Sequence, residues 1–175
     1  MQAVSTGFLI ESEGKYLLAH TTCHKTPPKQ PIQISSITEE KWTVPKGIID
    51  ETNKSQAGDA IEIETAIREL HEETGIDLKN NPILRQAFYD QFLKGLLKFP
   101  LHAEYKIKSK IVRIYLLSDP TGLISREYPL NAMKCSSLID SNHPLKGWPE
   151  VDAFVWATKQ EALRIVLKSQ KCLFK

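Results

Sequence analysis

Between residues 68 and 76 the chain reads Arg-Glu-Leu-His-Glu-Glu-Thr-Gly-Ile, and no other stretch limits the fold so sharply. Glu69, Glu72 and Glu73 stand at i, i+3 and i+4, a spacing that puts all three on one helix face. Gly75 followed by Ile76 reads as a helix end with its hydrophobic contact. Upstream, Ile63, Ala66, Ile67 and Leu70 repeat at i, i+3, i+4 and i+7, which predicts an amphipathic helix over 61–74. Like charges so close repel, by roughly a few tenths of a kcal/mol per exposed pair. A Glu-rich face is ordinarily a solvated one. The other reading is a positive partner, and an all-oxygen cluster suits a hard divalent cation, Mg²⁺ or Mn²⁺.

The same stretch resembles the second half of the Nudix box, Gly-x5-Glu-x7-Arg-Glu-U-x-Glu-Glu-x-Gly-U with U aliphatic. Arg68, Glu69, Leu70, Glu72, Glu73, Gly75 and Ile76 fill every specified position. Trp42-Thr43-Val44-Pro45-Lys46-Gly47 resembles the strand and loop that precede the box in many members. Trp156 before Glu161-Ala162 resembles the family's last strand and final helix. The first half departs from the pattern. Counting back from Arg68 puts the box Gly at Lys54 and its Glu at Ala60, whereas counting on from Gly47 puts that Glu at Asn53. An insertion of about seven residues within 50–59, polar as a solvated loop is, reconciles the two counts. Glu51, Glu62 and Glu64 are the candidates to replace the missing first Glu.

The resemblance implies an α/β fold, the Nudix α/β/α sandwich, with a mixed β-sheet packed between helices. It implies hydrolysis of a nucleoside diphosphate linked to another group. Mg²⁺ or Mn²⁺ would be held by Glu69, Glu72, Glu73 and the backbone carbonyl of Lys46. Arg68 would orient a neighbouring carboxylate through its planar fork of donors. Glu72 or Glu150 would take a proton; Glu150 stands before Trp156 where members often carry a further carboxylate, although a plain surface glutamate is the competing reading. Lys46 and Gly47 form the substrate loop, where a glycine lets the backbone come close to phosphate or metal. The leading substrate is a dinucleoside polyphosphate or similar nucleotide. Capped or 5′-pyrophosphorylated RNA is one alternative, and a non-catalytic nucleotide sensor is another.

At 175 residues, 41% hydrophobic and 25% charged, the chain is expected to form one domain over 1–175 with insertion loops near 23–41 and 50–59. A net charge of +2 demands neither nucleic acid nor membrane. Cys23, Cys135 and Cys172 are odd in number and without a CxxC, which argues for a reducing compartment and against a disulfide framework or zinc. No run approaches the roughly 18 apolar residues of a membrane helix, so a soluble cytoplasmic protein is expected.

Strands are predicted over 4–10 and 15–20 as a hairpin, then over 42–45, 83–89, 111–118 (central) and 151–156. Residues 22–40, with Pro27, Pro28 and Pro31, read as a long loop. Lys94, Lys98, Lys106, Lys108 and Lys110 form either an anion-facing surface or a solvated loop or hairpin. A final helix is expected over 159–169, capped by Thr158 with Glu161 at capping-box spacing. His71 reads as solvent-facing and Tyr89 and Phe92 as packing residues. His20, His24, His102 and His143 show no ligand-like spacing.

Overall fold

The computed structural model describes residues 2–24, 27–28, 31–50 and 58–175. Residues 51–57, which hold Glu51 and most of the expected insertion, lie outside the described residues.

The chain opens with the hairpin β1 (Ala3–Ser12) and β2 (Lys15–Thr21). Its turn places Glu13 and Gly14 at φ of 49° and 76°, the paired positive values that suit the right-handed twist of the strands. Beyond the turn the two strands part. β1 pairs antiparallel with β4 (Lys46–Ile48) and in parallel with β6 (Lys110–Asp119). β2 pairs instead with β3 (Trp42–Thr43) and β7 (Val151–Ala157). β5 (Leu101–Ile107) joins the outer side of β6, so 101–110 is the hairpin of the two readings, and β6 is central as its β-branched run predicts. The described residues thus form a mixed seven-stranded sheet.

Both faces of this sheet are covered. Phe8, Ile10, Leu17 and Ala19 meet Ile63, Ala66, Ile67 and Leu70 of α1 (Asp59–Thr74) on one face. Leu9, Leu18, Ile114 and Val155 meet Ala162 and Ile165 of α5 (Lys159–Ile165), with Leu173 and Phe174, on the other. Strands buried on both faces read as continuous apolar runs, as Phe8-Leu9-Ile10 does. Each such side chain contributes roughly 1.5–3 kcal/mol on full burial. The architecture is an α/β/α sandwich. Among the described residues no helix is long and apolar enough to cross a membrane.

The strand predicted over 83–89 is helical instead. Pro82–Leu84 (α2), a π-helical Arg85–Tyr89 and Asp90–Leu93 (α3) follow one another. Asn81 Oδ1 accepts from the N–H groups of Ile83 and Leu84 at 3.0 and 3.1 Å, and Pro82 takes a first-turn position that needs no donor. That cap outweighs the β-branched and aromatic composition, while Leu84 and Phe88 sink into the core. Leu123–Glu127 (α4) is a short helix after β6.

The final helix keeps its Thr158–Glu161 capping box but ends at Ile165, short of the predicted 169. Val166 turns extended to bridge Trp42, and the N–H of Leu167 donates to the Trp42 carbonyl at 2.9 Å. A 3₁₀ turn, Lys168–Phe174, follows.

Candidate active site

α1 carries the three glutamates, but it does not leave them on a solvated face. Glu69 and Glu73 are 8% and 6% exposed, while Glu72 is more open. β4 is what covers them. The first side-chain carbon of any other residue at Gly47 would fall 1.9 Å from the Glu69 carboxyl carbon, so only glycine leaves that carboxylate where it stands. Next to it, the N–H of Lys46 donates to Glu73 Oε2 at 3.0 Å. Gly7 of β1 serves the same end, because a side chain there would strike the Pro45 carbonyl at 2.1 Å and push β4 off the sheet.

Arg68 ties the cluster together. Its guanidinium lies 2.7 Å from Glu69 and 2.8 Å from Glu72, and it donates to the Ile48 carbonyl at 3.3 Å. Asp50 stands 3.7 Å from it. α1 ends at Gly75, left-handed at φ 80°, with Ile76 fully buried behind it. The carbonyl of Glu72 accepts from the Ser136 N–H at 2.7 Å, so the segment after β6 wraps the helix end.

That segment delivers Glu150. Its N–H donates to the Ser137 carbonyl at 3.1 Å, and its own carbonyl accepts from Thr22 N–H at 3.0 Å. Its side chain is exposed and lines a cleft of about 890 Å³ together with Lys46, Gly47, Arg68, Glu69, Glu72 and Glu73. The cleft therefore gathers the expected metal donors, Arg68, Glu150 and the Lys46-Gly47 loop. Sequence reading did not single out Thr22, Gln170 and His143, which also line it; Lys108 and Lys110, left open between a surface and a loop role, do so as well. The signal for the lysines was the hairpin turn that projects them, while the other three arrive only through tertiary packing. Lys98 faces a different cavity, beside Phe99 and Tyr115.

Glu62 and Glu64 do not reach this cleft. Glu62 is buried against Arg113 and accepts from the Tyr115 hydroxyl at 2.6 Å. Glu64 pairs with Lys79 and accepts from Tyr89 at 3.2 Å. His71 is exposed, and Phe92 packs against Phe99.

The cluster is short of positive charge. Burial pushes the Glu73 carboxyl up to about 8, with Glu69 and Glu150 adding to the shift and Lys46 opposing it. Burial also raises Glu69, against the pull of Arg68. The Lys46 ammonium is pushed down by burial despite Glu73 beside it. A divalent cation would relieve both carboxylates at once, and hard oxygen donors lining the cleft fit Mg²⁺ or Mn²⁺. The donor atoms of Glu69, Glu72 and Glu73 do not all lie within 4.8 Å of one another, with Arg68 bridging Glu69 and Glu72 and the Lys46 N–H bound to Glu73. The contact that Lys46 makes to α1 here is through its N–H.

A family model for the NUDIX domain matches residues 1–171. The chain is similar in structure to the MutT NUDIX hydrolase of Burkholderia pseudomallei, at 15% identity and a TM-score of 0.51, covering 99% of this chain and 96% of that one. It is similar to the NUDIX domain of Shewanella oneidensis NrtR, solved with ADP ribose, at 15% identity and a TM-score of 0.51, covering 98% and 82%. A C. elegans Ap4A hydrolase is likewise similar, at 17% identity and a TM-score of 0.48, covering 98% and 92%. No curated protein sequence matches the chain. At these identities the structural likenesses speak for the fold alone.

Proposed function

The chain belongs to the NUDIX domain family, hydrolases of diphosphate bonds, and from that premise we propose that it cleaves a nucleoside diphosphate linked to another group, with Mg²⁺ or Mn²⁺ as cofactor. The observation that supports this most is the close approach of Gly47 to Glu69 in a cleft that Glu69, Glu72, Glu73 and Glu150 all line. Residues 1–175 are read as one domain serving that cleft.

Glu69, Glu72, Glu73 and the Lys46 carbonyl are the proposed metal donors. A bound divalent ion supplies neutralisation of the diphosphate and a lower pKa for attacking water. Water attacks phosphorus, the bridging P–O bond breaks, and the water's proton passes to a carboxylate. Glu72 is the best placed acceptor, because Glu69 and Glu73 are buried against Gly47 and the Lys46 N–H while Glu72 stays open. Glu150 is the second candidate, set across the cleft on backbone bonds to Thr22 and Ser137. Arg68 keeps Glu69 and Glu72 in position, and Lys108 and Lys110 offer charge to phosphate oxygens at the rim.

A dinucleoside polyphosphate or similar nucleotide is the proposed substrate. Of the five lysines between 94 and 110, Lys108 and Lys110 line the cleft and Lys98 turns elsewhere, a footprint that favours a short polyphosphate over an RNA strand. The test is a panel of dinucleoside polyphosphates, nucleoside diphosphate sugars and capped RNA, incubated with and without Mg²⁺ and resolved by product. Mg²⁺-dependent cleavage of a small nucleotide is expected. Preference for RNA with steep salt dependence would move the reading to RNA ends, and tight binding without turnover would make the chain a nucleotide sensor.

A further inference from the structure

At the far end of β2 lies a second cluster, built from different chemistry. His20 is 8% exposed, with Nδ1 2.6 Å from Asp152 Oδ1 on β7 and the Trp42 ring tilted against it at 5.2 Å between ring centres. One donor atom from each of His20, Cys23 and Glu39 lies within 4.8 Å of the other two. Lys41 Nζ stands 3.0 Å from Glu39 Oε2. The cluster thus already attracts a cation from its own chain.

We propose that His20, Cys23 and Glu39 bind a thiophilic divalent ion of the zinc class, distinct from the helix carboxylates and fastening both ends of the 23–39 loop to the sheet. Thiolate, imidazole and carboxylate together select zinc over magnesium, which avoids sulfur. Asp152 engages Nδ1, which fixes the tautomer and leaves Nε2 as the free donor, the carboxylate–histidine–metal arrangement. With bonds of about 2.0–2.3 Å to zinc, the donors need draw together by only roughly 1 Å, and water completes the tetrahedron. Charge also closes: the thiolate and carboxylate neutralise the ion, and Cys23 gives up its proton on binding. Lys41, 36% exposed, moves off Glu39 into solvent.

The site escapes a search for spacing because Glu39 comes from the other end of a long loop. The absence of CxxC, which argued against zinc, excludes only a site whose ligands are close in sequence. It also adjoins the main cleft, since Thr21 and Thr22 between His20 and Cys23 line that cleft and Thr22 holds the Glu150 carbonyl.

The full chain, kept in excess Mg²⁺ to fill hard-oxygen sites, should be titrated with Co²⁺ and then Zn²⁺. One equivalent of Co²⁺ is expected to give a near-ultraviolet thiolate charge-transfer band that Zn²⁺ bleaches. Cys23→Ser should abolish the band and Glu39→Gln should weaken binding, both at positions open enough to keep the fold, checked by circular dichroism. Asp152→Asn should lower affinity by about 10–100-fold without removing the band. Glu69→Gln and Glu73→Gln should leave the band unchanged, which separates this site from the proposed catalytic one. A band that survives Cys23→Ser, or cobalt bound with no such band, would overturn the proposal.

Discussion

The carboxyl carbon of Glu69 lies 1.9 Å from where the first side-chain carbon of any other residue at Gly47 would sit. A backbone 22 positions earlier in the chain is thereby the floor on which the helix carboxylate rests. Gly47→Ala must displace β4 or rotate Glu69 away. Overpacking of this kind costs about 1–3 kcal/mol. Urea denaturation should show that loss together with weaker Mg²⁺ binding by calorimetry. An alanine variant with unchanged stability and metal affinity would mean that the close approach carries no function.

Glu72→Gln keeps an oxygen for Arg68 and so should leave the fold intact. If Glu72 is the proton acceptor, turnover should fall by about 10²–10⁴-fold. Glu150→Gln, measured alongside, assigns the role: the larger loss in kcat at constant KM marks the acceptor. Full metal-dependent activity in both Glu72→Gln and Glu73→Gln would remove the helix carboxylates from the chemistry.

Glu73 gives the metal-free protein a pH signature. Its carboxyl titrates near 8 in the folded chain against 4.5 ordinarily. Between those values the folded state holds a proton that the unfolded state has lost, so stability falls as pH rises through the window. Below the ordinary value both states are protonated and nothing more is gained. Metal binding should strengthen over the same window and release protons. Chelator-treated protein melted from pH 5 to 8 should show the decline, and Glu73→Gln should flatten it.

Asn81→Ala removes the cap on which 82–93 depends. A loss of about 0.5–2 kcal/mol is expected from the cap, measurable by denaturant midpoint. Asn81 also donates to Glu127 at 3.2 Å, which places the value toward the upper end. Activity at saturating substrate should be unchanged, as no atom of this helix lines the cleft.

The segment 83–89 shows where local reading fails. Its residues favour a strand one by one, yet Asn81 and Pro82 had already fixed a helix start, and burial of Leu84 and Phe88 rewarded it. Glu62 and Glu64 carry the same lesson for the site. Both stood as replacements for the missing first glutamate, and each is claimed by a partner that sequence distance conceals, Arg113 and Lys79.

What the sequence determined by itself was everything that repeats or ends locally. The helix of Glu69, Glu72 and Glu73, its Gly75 cap, the first hairpin, the central β6 and the Thr158 capping box all follow from neighbours a few residues apart. Only the tertiary structure decided that Glu69 and Glu73 are buried under β4, that Glu150 faces them, and that Glu39 returns to His20 and Cys23. Those outcomes depend on contacts between distant segments, and the charge state of a carboxylate follows from what buries it rather than from its place in the chain.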